Sequence, residues 1–338
     1  MRRLDGADGF VVSDLDGLDR HGGVARCAPK VLADSAWLLA RCATYQFASL
    51  ELPIGGASVG INASGDERSE IIATAVAALA GPVGEGLFVD PGRGLTDTDL
   101  APLSAMDGRP AAYHDTRVAL TGEGIAAAVT CVHPGDGASI AIESLDGVSA
   151  AFAAAMVRRG GRVVAVASGS NAVVNADGVD VDGLLTLASG GDLRLSDLGT
   201  DADPSAVLGA EATVLAVGSK LGAIDHEAAT SVRARIVAPT AWVPITTRAL
   251  AVLTRQDVTV LPDFLALAGA LVASGLTGPP AGESEAVTAA AALVESTVQE
   301  ARAAVGGDSP SLVLAACARA EAYLTSQGHD LPTSRPLG

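Results

Sequence analysis

Apolar and polar residues alternate through GFVVSDLD (residues 9–16), the spacing of a strand with one buried face. A second strand is expected over residues 24–27, after a turn at Gly22-Gly23. From residue 31 to 45 the period changes: Trp37, Leu38 and Cys42 recur at helical spacing. Residues 47–53 read as a strand running into a Gly55-Gly56 turn. Residues 66–79 read as a helix, with Ile71, Ile72, Val76 and Leu79 clustered and Gly81 as its stop. A short apolar strand ending in an acid follows at 86–90, and Thr96 or Asp97 is placed to cap the next helix.

After Gly122 the chain becomes rich in Ala, Gly and Val, with short β-branched runs at 139–143, 162–168, 212–218, 235–238 and 258–261 and helical stretches between several of them. Continuously apolar strands alternating with helices imply a parallel sheet covered on both faces, a doubly wound domain. Val148, Phe152 and Met156 form one face of its first crossover helix, a packing stripe. Two helices close the chain from Glu283. The first carries Val287, Ala291, Val294, Val298 and Val305 on one side; the second starts at Ser309-Pro310 and ends near Gly328. The Gly/Pro-rich GLTGPPAGES (residues 275–284) is the best hinge candidate.

Composition narrows the function classes. A chain of 338 residues suggests two domains. Hydrophobic residues make up 49 %, much of it alanine, but no run approaches the ~18 apolar residues of a membrane helix. Asp5 and Asp8 interrupt the start where a signal peptide needs apolar residues, so a cytoplasmic location is expected. Cys27, Cys42, Cys131 and Cys317 are scattered without a CxxC and read as small core residues, and the five histidines show no ligand spacing, so no metal is expected. The formal charge of −17 argues against nucleic acid and anionic membranes as partners. Lysine occurs at Lys30 and Lys220 alone.

Several stretches, in order along most of the chain, together resemble the glutamate/leucine/phenylalanine/valine dehydrogenase family of NAD(P)-dependent oxidative deaminases. HGGVAR (residues 21–26) looks like the family's G-G-x-R segment, and ATYQFASLELPIGGASVGI (43–61) like its M-T-Y-K…G-G-x-K-G-G-I core. FVDPG (88–92) resembles the E-D-x-G loop, and LTGEGI (120–125) the T-G-x-G-V hinge. Residues 161–185 resemble the second strand and following hairpin of the cofactor domain, and 218–225, 233–244 and 260–272 complete the match. The implied fold is α/β: a Rossmann-like doubly wound domain (122–307) plus an α/β N-terminal domain of substrate-binding and oligomerisation type (1–121), completed by a C-terminal helix (308–338). A homo-oligomer is implied, or a hetero-oligomer with an active homologue.

The resemblance also implies a site, and there the chain departs from the family. The two family lysines, one for the substrate carboxylate and one for proton transfer, fall on Gln46 and Ser58 with their twelve-residue separation kept. Neither side chain supplies an ammonium, and such acid–base help is worth roughly 10²–10⁴ in rate. Asp90 stands at the catalytic aspartate position and Thr121 at the hinge threonine. Where the family has G-x-G-x-x-G/A, SLDGVS places Ser144, Asp146 and Ser149, and Ser168 replaces the acid that would hold the adenosine ribose. A carboxylate ~4 Å from a phosphate costs on the order of 4 kcal/mol at a protein surface. Two family asparagines align with Trp242 and Leu267.

Each of these residues has two readings. Asp90 is either a surviving acid or base or a hydrogen-bonding loop or cap residue. Lys220 either enters the inter-domain cleft, pairing with Asp146 or Asp90, or is a solvated surface charge. Trp242 floors a new apolar pocket or fills the cofactor's volume, and for Asp146 the alternative is helix capping. Three functions therefore stay open. One is a cleft that binds or transforms an amino-acid-like or keto-acid-like molecule without a nicotinamide cofactor, with Asp90 and Thr121 as polar anchors. Another is a non-catalytic subunit, and the third is an ordinary dehydrogenase using NAD or NADP.

Overall fold

The computed structural model of the chain describes residues 1–135, 137–282, 284–306, 311–331 and 334–337. It divides into two compact units, the first comprising Met1–Asp115, Ser274–Thr277 and Arg319–Pro336, the second the remaining described residues.

Unit 1 holds a mixed sheet. Its strands are β1 (Arg2–Arg3), β2 (Gly9–Ser13), β3 (His21–Ala28), β4 (Gly55–Asn62) and β5 (Leu87–Pro91), in the order β1-β2-β4-β3-β5. β3 runs parallel to both β4 and β5, while β2 is antiparallel to β4. One face carries the main core, including Ala25, Cys27, Ala57, Val59, Ile61, Leu87 and Val89 packed with Ile72, Val76, Leu79 and Leu100. Helix α1 (Ala33–Ser49) packs against the other face; α2 (Arg68–Gly84) and α3 (Asp97–Ser104) complete the first run of elements. Thr96 caps α3 in a reciprocal box with Asp99, as its composition suggests.

Several local expectations are corrected. Gly22-Gly23 and Gly55-Gly56 are not turns; they lie inside β3 and β4, and none of the four has a positive φ. They are needed for close approach instead. A Cβ on Gly56 would lie 1.7 Å from the Ala40 carbonyl oxygen of α1, one on Gly23 1.8 Å from the Ala57 carbonyl oxygen, and one on Gly22 2.1 Å from the Phe88 ring. The strand expected over 47–53 is absent because α1 continues through Phe47, which is 2 % exposed and meets Phe88 edge to face at 5.9 Å. Gly81 does not stop α2: Val83, 4 % exposed, prolongs the buried stripe of Ile72, Val76 and Leu79 by a turn.

Helix α4 (Ala111–Val132) contains the division between Asp115 and Thr116. LTGEGI, expected to be a hinge, lies within α4, and its glycines are packing contacts. A Cβ on Gly122 would lie 2.6 Å from the backbone of Ala151 and Phe152, and Gly124 faces Gly269.

Unit 2 is the expected doubly wound domain. Its strands are β6 (Ser139–Ile142), β7 (Arg162–Ser168), β8 (Asn171–Val174), β9 (Thr200–Ala202), β10 (Val214–Val217), β11 (Ile236–Pro239) and β12 (Thr259–Val260). They follow the order β12-β11-β10-β6-β7-β8-β9, parallel from β12 to β7, with β8 antiparallel to both neighbours. Between them lie α5 (Gly147–Arg158), α6 (Val181–Ala188), α7 (Pro204–Leu208), α8 (His226–Ser231) and α9 (Thr247–Arg255), followed by α10 (Asp263–Ala266) and α11 (Ala286–Ala303). Phe152 and Met156 of α5 are buried as the stripe requires. On α11 the buried side is Ala290, Val294, Thr297, Val298 and Ala301. Val287, 48 % exposed, and Val305, 45 % exposed and beyond the helix end, are not on it. Helix α12 (Leu312–Ser326) is followed by Gly328 at positive φ; the expected start at Ser309-Pro310 and the expected opening at Glu283 lie outside the described residues. All four cysteines are buried thiols outside any disulfide.

The Gly56 contact makes a direct prediction. Gly56→Ala should destabilise the chain by about 2 kcal/mol or more through backbone overlap. Gly81→Ala, where nothing lies within 4 Å, should stabilise it by roughly 0.5–1 kcal/mol. Urea denaturation of the two variants would check both signs.

Candidate functional site

Asp90 sits near the end of β5, and its two oxygens are both taken. Arg109 Nη1 donates to Oδ1 at 3.0 Å and the Tyr113 hydroxyl to Oδ2 at 2.6 Å. The arginine is brought there by a local device. In Asp107-Gly108-Arg109-Pro110, Gly108 takes φ +76° and Asp107 Oδ1 accepts the Arg109 backbone N–H at 3.0 Å, curling the chain back on itself. Asp107 Oδ2 also accepts Arg109 Nη2 at 2.6 Å and Nε at 3.0 Å. The guanidinium lies 4.4 Å from the Tyr113 ring centroid and 5.1 Å from that of Phe88. Burial pulls the Arg109 pKa down, but Asp90, Tyr113 and Asp107 more than offset this and hold it above the ordinary arginine value. Asp90 is thus neither a cap nor a free acid: its side chain, 29 % exposed, is one arm of a buried ion-pair network.

Register places Ser58 in the same row. Ser58 pairs with Val24 and Val24 with Asp90, so Ser58 and Asp90 share a sheet face two strands apart, about 10 Å at the usual strand spacing. Ser58 is fully buried and its Oγ has no hydrogen-bond partner. Gln46, 4 % exposed, lies in α1.

In unit 2 the chain leaves β6 toward β7 and later returns beside β6 as β10, so the topological switch point falls between β6 and β10 at their C-terminal ends. Helix α5 begins here, and its N-terminus carries a reciprocal capping box. Asp146 Oδ1 accepts Ser149 N at 2.8 Å, while Ser149 Oγ accepts Asp146 N at 2.8 Å. Glu143 places a second carboxylate at the same edge, accepting Gly218 N at 3.2 Å, Ser219 N at 3.1 Å and the Ser219 hydroxyl. Burial pushes the Asp146 carboxyl up against the opposing pull of its bonds to Ser149 and Val148, and the nearby Glu143 charge adds to the rise. A pyrophosphate needs free amides and no facing negative charge at a helix N-terminus. This donor set does not fit one.

The remaining expected residues lie apart from these clusters. Ser144 is half-buried just before Asp146, and Ser168 is half-buried at the end of β7. Thr121 is half-buried inside α4, Lys220 is exposed, Trp242 is half-buried and Leu267 is 8 % exposed. Among the described residues there is no group of three or more His, Cys, Asp or Glu side chains that could hold a metal. The sequence reading missed Arg109, Asp107, Tyr113 and Glu143. The Asp-Gly-Arg-Pro turn was the one local signal available for the first two.

Comparison with known proteins gives one consistent picture. The family model described as Glutamate/Leucine/Phenylalanine/Valine dehydrogenase matches residues 114–301. The NADP-specific glutamate dehydrogenase A1 of Halobacterium salinarum is 28 % identical over 290 residues, covering 76 % of this chain and 67 % of the relative. A hetero-hexameric glutamate dehydrogenase from Thermus thermophilus, in its Leu-bound form, superposes with a TM-score of 0.75 at 23 % identity, covering 96 % of this chain and 90 % of that one. Glutamate dehydrogenase from Peptoniphilus asaccharolyticus gives 0.64 at 19 % identity, covering 95 % and 91 %. The two structural likenesses establish the α/β fold.

The buried network around Arg109 can be tested by stability alone. Asp107 and Arg109 are 2 % and 1 % exposed in their side chains, so Asp107→Ala leaves buried guanidinium donors unsatisfied, with Asp90 as the remaining carboxylate. A loss of about 1–3 kcal/mol is expected, read as a lowered urea midpoint.

Proposed function

This chain belongs to the glutamate/leucine/phenylalanine/valine dehydrogenase family, and from that premise we propose that it is a diverged member that does not perform nicotinamide-dependent deamination but binds an amino-acid-like or keto-acid-like small molecule. The observation that carries the proposal is the Asp146–Ser149 capping box. A carboxylate of the chain itself occupies the helix end where a dinucleotide phosphate would bind, and Glu143 adds a second negative charge beside it.

Unit 1 supports the same conclusion. A proton-transferring lysine would have to stand at Ser58, which is fully buried and carries no titratable group. Asp90 accepts from Arg109 on one oxygen and from Tyr113 on the other, so its carboxylate is engaged by the chain's own donors. What such a site retains is polar, shaped surface for recognition. That closure of Asp90 also favours a second reading, a non-catalytic subunit assembling with itself or with an active homologue; the similar Thermus thermophilus protein is a hetero-hexamer. No described helix is long and apolar enough to cross a membrane, and a cytoplasmic location is part of the proposal.

Calorimetric titration of NADH and NADPH into the full chain decides the cofactor question. No binding in the micromolar range is expected, and micromolar affinity for either would overturn the proposal. Paired assays for glutamate and leucine deamination with NAD and NADP should give rates at background.

A further inference from the structure

Arg26 lies on β3 opposite Gly60 of β4. Strand alternation fixes its face: since Ala25, Cys27, Ala57, Val59, Ile61 and Val89 all belong to the core on one side, Arg26, Ser58 and Asp90 share the other. Along β4, Ser58 is two residues from Gly60 on that same face. Arg26 Nε and Nη2 are buried and donate to nothing, and Ser58 Oγ is likewise without a partner. Gly92 makes room for the arginine stem, since a Cβ there would lie 3.2 Å from Arg26 Cγ.

The charge nearby has the wrong sign to explain this. Burial and the like charge of Arg93 lower the Arg26 pKa. In a chain with 39 acidic against 22 basic residues, a guanidinium beside another guanidinium is out of keeping with its surroundings. Buried donors are normally hydrogen-bonded and buried charges paired, because leaving them bare is costly. Arg26 as a residue is half-buried, so part of it reaches solvent while Nε and Nη2 lie beneath the surface.

We propose that Arg26 and Ser58 form the seat of a ligand carboxylate on this face of the unit 1 sheet, the ligand's class resting on the function proposed above. A planar guanidinium presents parallel N–H donors that match the two oxygens of a carboxylate, and the serine hydroxyl supplies a further donor.

The test uses the full chain, with glutamate, leucine, 2-oxoglutarate and inorganic phosphate as probes in thermal unfolding and calorimetry. At least one of the carboxylates should bind the wild type and raise its melting temperature. Arg26→Met should weaken that binding by about tenfold or more, and Ser58→Ala should weaken it severalfold. Without ligand, Arg26→Met should melt no lower than the wild type, because an unpaired buried charge has been removed. A markedly lower melting temperature would show that Arg26 is satisfied within the protein and would overturn the seat. Carboxylate binding undiminished in Arg26→Met, or binding of phosphate alone, would also overturn it. If no carboxylate binds the wild type at all, the proposed function falls with the seat, whereas undiminished binding in the variant removes the seat alone.

Discussion

The contact on which unit 1 depends is the approach of α1 to β4 at Gly56. With no side chain there, the Ala40 carbonyl comes close enough that Thr44 can bridge helix and strand: its hydroxyl accepts the Gly56 N–H at 3.0 Å and donates to Asp14 at 2.7 Å. Arg41, close to one turn before Thr44 on the same helix, forks onto both oxygens of Asp14 at 2.8 Å. Helix, central strand and the loop after β2 are thereby tied at one point. Phe47 then reaches Phe88 and so fixes the helix against β5, the strand that carries Asp90.

Electrostatics follow a single pattern over both units. The chain is strongly acidic, yet its enclosed carboxylates are turned inward onto its own donors. Asp107 and Asp90 hold Arg109, Glu123 is paired with Arg158 and Arg159, Glu143 takes the amides after β10, and Asp263 accepts the Val243 and Phe264 N–H groups. Arg26 departs from this pattern, and that makes it informative.

Much of the architecture was legible in the residues. The five parallel strands of unit 2, the α5 stripe and the Thr96 cap follow from local periodicity and capping chemistry, which act within a few residues. Glycine was where reading along the chain failed. A Gly-Gly pair looks like a turn because glycine tolerates positive φ, but at Gly22-Gly23 and Gly55-Gly56 it serves close packing against α1, Phe88 and a neighbouring strand. Gly122 and Gly124, in the stretch that resembles the family's hinge, lie within α4 and serve close packing.

The sequence by itself determined the family and the alternation of elements in unit 2, and it raised the expectation that Gln46, Ser58 and the SLDGVS loop depart from the family's pattern. Only the tertiary structure decided what the remaining polar groups do. Asp90 is held by an arginine nineteen residues away, Asp146 turns back to cap its own helix, and Glu143 reaches the loop after β10. Local preference is written in neighbouring residues, whereas the partner of a buried charge is chosen by which strands and loops packing brings within hydrogen-bonding distance.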